Sequence, residues 1–244
     1  MTEALAEYLS WDSEFFDRRT ARVLEQALDQ ERWVLVERWC REQKIQTLYF
    51  LAESTLTAGH LFLESIGFIR VDERVLLSLT LPARVARPAL ESCAEVRHGS
   101  TADLPQLKGI ALTAFRDGRF YHDPVFSKSK ADEFYATWVE NSFHGLADQV
   151  FTAIIRQEPV GFVTCVRSGE KGGQIGLIGV RDDVRNQQIG QHLMSAAIQW
   201  FADHGMNQVD VVTQGRNQAA ISFYKKVGFQ IKESKVWYHK HFYD

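Results

Sequence analysis

The stretch Val184-Arg-Asn-Gln-Gln-Ile-Gly-Gln-His-Leu-Met194 decides the fold of this chain. It follows an apolar run at 175–180 that predicts a strand, and it opens a segment whose apolar residues recur at the helical period. The local order is therefore strand, polar loop, helix. The first N–H groups of a helix lack partners inside the helix, and the helix dipole makes this end positive. The loop therefore predicts an anion site, above all for pyrophosphate, and the alternative is an ordinary polar helix start.

A second segment, Asn217-Gln-Ala-Ala-Ile-Ser-Phe-Tyr-Lys-Lys-Val-Gly-Phe229, predicts another helix. Asn217 is a favourable helix N-cap. Tyr224 follows two helical turns later, so the two side chains face roughly the same way. Together, the two segments resemble the acetyl-coenzyme A site of the GNAT superfamily of N-acetyltransferases.

This resemblance implies an α/β protein with the GNAT fold, in which helices flank a mixed central sheet, and it implies acetyl-coenzyme A as co-substrate. The family pattern has a glycine where this chain has Gln188. Glycine allows close approach to phosphate or a permissive φ, and another residue is tolerated there if its φ is negative. The residues that the resemblance assigns to the cofactor are Ile178, Gly179, Val180, Arg185, Asn186, Gln187, Gln188, Ile189, Gly190, Gln191, Asn217 and Ala220.

Composition and charge narrow the class of protein. The 244 residues are 45% hydrophobic and 24% charged, as in an ordinary globular chain. A net charge of −3 disfavours a nucleic-acid partner, and no apolar run or leader pattern predicts a membrane span or a signal peptide. Cys40, Cys93 and Cys165 show no pairing pattern, which favours the cytoplasm. His239 and His241 would share one strand face, but no further ligand cluster lies nearby, so no metal is expected.

The order of predicted elements divides the chain into two parts. The first part has predicted strands and a helix at 33–36, 45–51, 57–66 and 75–81. A linker follows near 82–94, marked by two prolines. The remainder runs helix, helix, three strands, helix, strand, helix, strand, which resembles the order of the GNAT fold. We therefore predict a degenerate, non-catalytic GNAT-like half-domain at 1–90 and a catalytic GNAT domain at 91–244.

A weak internal repeat supports this division. Residues 60–68 align with 221–229, so that Phe62 matches Phe223 and Gly67 matches Gly228. The first copy has lost the polar residues, because Leu63 falls opposite Tyr224 and Leu56 falls opposite Asn217. The repeat indicates a catalytically silent half that contributes part of a substrate wall. The alternative is two unrelated helices that share a Gly-Phe ending.

Acyl transfer from a thioester to an amine requires a base for the amine and an acid for the departing sulfur. Tyr224 is the candidate acid, because the pKa values of a phenol and a thiol are close enough for proton transfer. Its alternative role is packing on an amphipathic helix. The candidate bases are Asp72, Glu73, His122 or a water molecule held by one of them.

A closer resemblance rests on three stretches, Leu9-Ser-Trp-Asp-Ser-Glu-Phe-Phe16, Gly118-Arg-Phe-Tyr-His122 and Phe134-Tyr-Ala-Thr-Trp-Val-Glu-Asn141. They are similar to the dTDP-fucosamine acetyltransferases, which acetylate the 4-amino group of a nucleotide-linked amino-deoxy sugar. The resemblance implies Tyr224 as acid and Asp72 as a water-mediated base. Arg116, Arg119 and His122 lie in one loop and could bind the negative charge of a nucleotide diphosphate. The alternative is that they are ordinary polar loop residues that face solvent. The predicted substrate-binding residues are Arg119, Tyr121 and His122.

The leading hypothesis is therefore an acetyl-coenzyme A-dependent N-acetyltransferase for a nucleotide-linked amino sugar in surface polysaccharide synthesis. Two alternatives stay open at this point. One is a GNAT enzyme for another small amine or a protein N-terminus, and the other is a non-catalytic acyl-coenzyme A sensor. The presence of Tyr224 argues against the sensor, because binding alone needs no proton donor. The sequence leaves the oligomeric state open, a homodimer included.

Overall fold

The computed structural model of the protein describes residues 5–25, 27–54, 57–82 and 94–243. We call residues 5–82 the N-terminal half and residues 94–243 the C-terminal half. The N-terminal half contains β1 (Ala6–Tyr8), α1 (Ser10–Phe16), β2 (Thr20–Val23), α2 (Gln30–Glu42), β3 (Thr47–Glu53), α3 (Thr57–Ser65) and β4 (Ile69–Thr80). The C-terminal half contains β5 (Glu95–His98), α4 (Leu104–Ala114), α5 (Lys128–Asn141), β6 (Gln149–Ile155), β7 (Glu158–Ser168), β8 (Gly172–Val180), α6 (Ile189–Asp203), β9 (Gln208–Gln214), α7 (Gln218–Val227) and β10 (Gln230–His241).

The ten strands form one sheet in the order β1-β2-β3-β10-β4-β9-β8-β7-β6-β5. Strands β2 and β3 are parallel, as are β8 and β9, and the other neighbours are antiparallel. Adjacent residues of a strand point to opposite faces. Phe162 of β7 accordingly packs with α4 and α5, whereas Val163 packs with α6. The prediction of a mixed sheet flanked by helices is confirmed.

The prediction of a strand at 33–36 is wrong, because these residues lie inside α2. Trp33, Val36 and Cys40 are buried at helical spacing, while Val34 and Leu35 face solvent. A short apolar run does not distinguish a strand from a helix segment by its period. The predicted helix at 57–66 matches α3 to within one residue.

The internal repeat includes four neighbouring strands of the sheet, β3, β10, β4 and β9. Strands β3 and β4 begin and end 161 residues before β9 and β10, the same separation that divides Glu73 from Ser234. In the antiparallel pair of β4 and β10, Arg74 lies opposite Lys235, which is its own counterpart in the repeat. Both irregularities of this pair fall at matching positions. A pseudo-twofold axis therefore passes between Arg74 and Lys235.

The two halves exchange their last strands about this axis. Strand β4 lies between β9 and β10, and β10 lies between β3 and β4. Each half thus completes the sheet of the other, and β4 brings N-terminal residues to the C-terminal half. The division near residue 90 lies outside the described residues, as do Cys93 and the counterpart of Asn217, Leu56. The assignment of 1–90 and 91–244 as domains stays a proposal.

Candidate active site

A cleft opens where β8 and β9 part. The described ladder between them runs from Gly172 opposite Gln208 to Ile175 opposite Val211 and then ends. Beyond that point, residues 176–180 and 212–214 line a cavity of about 1090 Å³. Backbone groups that a neighbouring strand does not satisfy need another partner. The parted strand edges are therefore suited to an extended ligand with amide groups of its own.

An irregularity in β8 accompanies this opening. The register between β7 and β8 shifts between Val163 and Cys165, and the backbone N–H of Leu177 donates to Oγ1 of Thr164 at 2.8 Å. Gly176 fits here because an added Cβ would lie 2.7 Å from the same oxygen. Bulges bend a strand and redirect its side chains. The bulge thus lies at the point where β8 leaves β9.

The polar loop predicted to bind pyrophosphate lines this cleft and leads into α6. Helix α6 begins at Ile189, and its N-cap residue, Gln188, makes no side-chain cap. The Gln188 side chain therefore occupies none of the first N–H groups of the helix. Gln188 has a φ of 61°, and Asn186 has a φ of 64°. The condition that φ be negative at Gln188 is not met, so this glutamine adopts a left-handed conformation at a cost of about 1–2 kcal/mol.

Most residues predicted to bind the cofactor line the cleft. Gln187 is exposed and does not line the cleft. The members that line the cleft are Ile178, Gly179, Val180, Arg185, Asn186, Gln188, Ile189, Gly190, Gln191, Asn217 and Ala220.

Helix α7 carries the candidate acid into the cleft. The side chain of Asn217 accepts a hydrogen bond from the backbone N–H of Ala220 at 3.0 Å, which confirms the predicted N-cap. Tyr224 lies two turns later, is 5% exposed and lines the cleft. Burial raises the pKa of its phenol, and none of the described residues forms a hydrogen bond with the hydroxyl. The phenol is therefore protonated at neutral pH and available to a ligand.

Asp72 reaches the same cleft from β4, and so from the N-terminal half. Its side chain is 4% exposed, and burial raises the pKa of the carboxyl to about 7. The nearby Arg216 guanidinium, 3.6 Å away, and the backbone N–H of Glu73, at 2.8 Å, limit this rise. A carboxyl that titrates near neutral pH is suited to general base catalysis. Glu73 instead accepts a hydrogen bond from Ser234.

Arg119 is the one predicted substrate residue that lines the cleft. It lies in a short 3-10 turn, Arg119–His122, with its guanidinium carbon 4.2 Å from the ring centre of Trp237 and 4.4 Å from that of Tyr49. Among the described residues, none forms an ion pair with it, so the cation is left for a ligand. Tyr121 and His122 do not line the cleft. The Tyr121 hydroxyl donates to Asp132, and His122 is exposed.

His239 and His241 meet a third polar group that the sequence did not indicate. Asp123, 116 residues before His239, lies between them, and the three side chains form a buried cluster. Burial lowers the pKa of His239 to about 4, and hydrogen bonds from the two imidazoles hold the pKa of Asp123 below its usual value despite burial. The sequence near the histidines offers no third ligand-type residue, and the structure brings one in from a distant turn.

Aromatic side chains line the end of the cleft that holds Arg119. Phe134 and Trp138 entered the sequence analysis only within a stretch that carries the closer resemblance, and neither of them, nor Trp237, was predicted as a site residue. They reach the cleft because α5 and β10 lie on either side of the turn that carries Arg119. The rings at this end are Phe115, Phe120, Phe134, Tyr135, Trp138 and Trp237.

Residues 114–229, which include the parted strands, the loop and α7, match the model of the Acetyltransferase (GNAT) family. The chain contains a GNAT acetyltransferase domain. Its fold is also that of a GCN5-related N-acetyltransferase from Sphaerobacter thermophilus, with a TM-score of 0.68 at 17% identity over 97% of this chain and 76% of that one.

Two relatives are similar in sequence to this chain. The dTDP-fucosamine acetyltransferase of Escherichia coli O6:H1 is 27% identical over 73% of this chain and 74% of its own length. The spore coat polysaccharide biosynthesis protein SpsD of Bacillus subtilis is 26% identical over 53% of this chain and 45% of its own length. No helix in the described part of this chain is long and apolar enough to cross a membrane.

Proposed function

We propose that this GNAT protein transfers the acetyl group of acetyl-coenzyme A directly to the 4-amino group of a nucleotide-linked amino-deoxy sugar, in cytoplasmic reactions that supply surface polysaccharide. The observation that carries the chemistry is the meeting of two proton-transfer groups in one cleft. Tyr224 enters from α7 as a protonated phenol, and Asp72 enters from β4 as a carboxyl whose pKa is raised to about 7.

The binding of acetyl-coenzyme A is proposed along the parted strands and the loop. The uncapped N-terminus of α6, at Ile189, Gly190 and Gln191, would hold the pyrophosphate through backbone N–H groups. The free edges at 176–180 of β8 and 212–214 of β9 would pair with the amide groups of the pantetheine arm. This course directs the thioester toward Tyr224.

In the proposed reaction the acceptor nitrogen loses two protons and the departing sulfur gains one. Asp72, directly or through a water molecule, takes a proton from the ammonium group of the acceptor. The amine nitrogen then attacks the thioester carbon, the C–N bond forms and the C–S bond breaks. Tyr224 gives its proton to the departing sulfur, which leaves as the thiol. The phenolate then takes up the second proton, which the nitrogen releases as the neutral amide forms, and Asp72 passes the first proton to solvent. Holding both groups in one cleft contributes by orientation as well as by acid–base catalysis.

The acceptor is proposed from the charge and the rings at the other end of the cleft. Arg119, which forms no ion pair with a described residue, supplies a cation for a phosphate group. Phe134, Trp138 and Trp237 supply flat surfaces for a sugar or a base. The names of the two relatives, one an acetyltransferase of a dTDP-linked amino sugar and the other a polysaccharide biosynthesis protein, support the same acceptor class.

A thiol-release assay with acetyl-coenzyme A and a panel of acceptors tests the proposal. The panel contains nucleotide-linked 4-amino and 3-amino sugars, the same sugars without the nucleotide, polyamines and a peptide with a free N-terminus. We expect turnover with the nucleotide-linked 4-amino sugar and at least tenfold lower kcat/KM without the nucleotide. Turnover restricted to polyamines or peptides would support the alternative GNAT functions, and binding without turnover on any acceptor would support the sensor.

A further inference from the structure

The cluster of Asp123, His239 and His241 takes no part in the proposed chemistry, although it is among the most buried polar groups of the protein. Oδ2 of Asp123 lies 2.5 Å from Nδ1 of His239 and 3.0 Å from Nε2 of His241. The three side chains are between 0% and 6% exposed. Thr47 of β3 adds a contact of 3.0 Å to the other nitrogen of His241.

The separations in the cluster are those of hydrogen bonds. Two ligands of one tetrahedral zinc ion, each about 2.0 Å from the metal, lie about 3.3 Å apart. The 2.5 Å between Asp123 and His239 is too short for that arrangement and suits a hydrogen bond to a carboxylate. Nε2 of His239 is buried without a partner among the described residues, so Asp123 alone holds this ring by hydrogen bonding.

The cluster connects directly to the turn that carries Arg119. Asp123 is the residue that ends the turn Arg119–His122. Trp237, His239 and His241 alternate along β10 and so share one face of the strand. The turn lies across this face, with Arg119 over Trp237 at one end and Asp123 between the two histidines at the other.

A second route of contact joins the same groups. Tyr49 of β3 lies directly opposite His239 of β10, and the two ring centres are 4.3 Å apart. The same tyrosine ring lies under the Arg119 guanidinium. The contacts therefore run from Asp123 to His239, then to Tyr49 and finally to Arg119.

Arg119 needs external support to hold one position. None of the described carboxylates pairs with it, its side chain has many rotamers, and a four-residue 3-10 turn is too short to be rigid by itself. We propose that Asp123 is a positioning residue for acceptor binding, which acts through His239 and His241 to hold Arg119 over Trp237 and Tyr49. This inference rests on the proposed function, because it assumes that Arg119 binds an anionic group of the acceptor.

A double-mutant cycle tests the inference. Asp123→Asn keeps the shape of the side chain and removes its charge, and Arg119→Gln removes the proposed ligand. We expect Asp123→Asn to raise the KM for the nucleotide-linked acceptor about tenfold, with kcat and the KM for acetyl-coenzyme A changed less than about twofold. In the Arg119→Gln background, the same substitution should change the acceptor KM by less than about twofold. Additive effects of the two substitutions would overturn the inference, as would an equal loss in all kinetic parameters.

Tyr238→Phe is the matched control. It removes a hydrogen bond, to His60, on the opposite face of the same strand and away from the cleft. We expect this variant to keep the acceptor KM of the wild type. An increase equal to that of Asp123→Asn would show that any loss on β10 has the same effect, and the positioning role would then be wrong.

A measurement without acceptor separates this inference from the proposed function. Amide hydrogen exchange at 117–122 should be faster in Asp123→Asn than in the wild type and Tyr238→Phe, while the β10 amides keep their protection. Unchanged exchange in the turn would overturn the positioning role whatever the acceptor is. If the exchange rises but no nucleotide-linked sugar is acetylated, the proposed acceptor is wrong and the turn is still held by Asp123. Elemental analysis that finds one zinc per chain would replace the inference with a metal site.

Discussion

Nη2 of Arg216 lies 3.6 Å from Oδ1 of Asp72, although the two residues come from different halves of the chain. Arg216 belongs to the connection between β9 and α7, and it also donates a hydrogen bond to the backbone carbonyl of Val71, next to Asp72. Burial favours the neutral carboxyl and the guanidinium favours the charged one, so the pKa of about 7 reflects the balance of two opposing effects.

The rate should depend on pH through Asp72. Because the base must be ionised, kcat/KM should fall as the pH drops below about 7, and Asp72→Asn should lose this limb together with most of the rate. Arg216→Gln removes the stabilising cation, so the limb should move to higher pH. The exposed Lys232→Gln removes an equal charge elsewhere and should leave the limb in place. A profile that does not respond to Arg216→Gln would exclude Asp72 as the titrating base.

The Asp72 carboxyl should lower the free energy of unfolding at neutral and higher pH. Its pKa is raised in the folded protein, so the folded state binds the proton more tightly than the unfolded chain does. The stability contributed by this proton is present below about pH 4 and is lost as the pH rises through about 7. Asp72→Asn should therefore raise the Tm at pH 8 and change it little at pH 4. Equal shifts at the two pH values would contradict this assignment.

Tyr224→Phe should leave the fold and acetyl-coenzyme A affinity nearly intact, because only one hydroxyl is removed from a ring that stays packed. The rate should fall by roughly 10²–10⁴ in both kcat and kcat/KM, the usual value of a positioned acid. A thioester with a better leaving thiol should restore part of the loss. Tyr238→Phe again provides the control. A wild-type rate for Tyr224→Phe with the natural thioester would show that the hydroxyl is not the acid and that Tyr224 contributes only packing.

Two substitutions at Gly190 should separate the effect of side-chain size on acetyl-coenzyme A binding from the effect of charge. A Cβ at Gly190 would lie 3.5 Å from the ring of Phe223, an ordinary contact, so Gly190→Ala should bind acetyl-coenzyme A like the wild type. Gly190→Glu places a negative charge at the positive end of α6 and should abolish binding. Calorimetry on the three proteins measures this, and unchanged affinity of the glutamate variant would remove the loop from the cofactor site.

The N-terminal half should bind no second acetyl-coenzyme A. Helix α2 follows β2 as α6 follows β8, but the carboxylate of Asp29 caps α2 by accepting from the backbone N–H of Arg32 at 2.8 Å. An anion at this helix end would meet a negative charge instead of free N–H groups. Titration of the whole chain should give one bound acetyl-coenzyme A. A stoichiometry of two would contradict the prediction that the N-terminal half binds no acetyl-coenzyme A.

The sequence by itself determined the parts of the site that depend on neighbours along the chain. The loop before α6, the cap at Asn217 and the spacing from Asn217 to Tyr224 follow from helix geometry over a few residues, and each was predicted where the structure has it. The repeat was visible for the same reason, since Gly67 and Gly228 end equivalent helices at the same separation.

Only the tertiary structure decided what faces these local elements across the cleft. Asp72 reaches Tyr224's cleft because β4 lies between β9 and β10, and Asp123 reaches the histidines of β10 because a turn crosses that strand. The left-handed φ of Gln188 likewise depends on how the loop is closed between β8 and α6. Helix periodicity constrains residues within a few turns, whereas strand order and the crossing of a turn over a sheet depend on packing between residues more than a hundred positions apart.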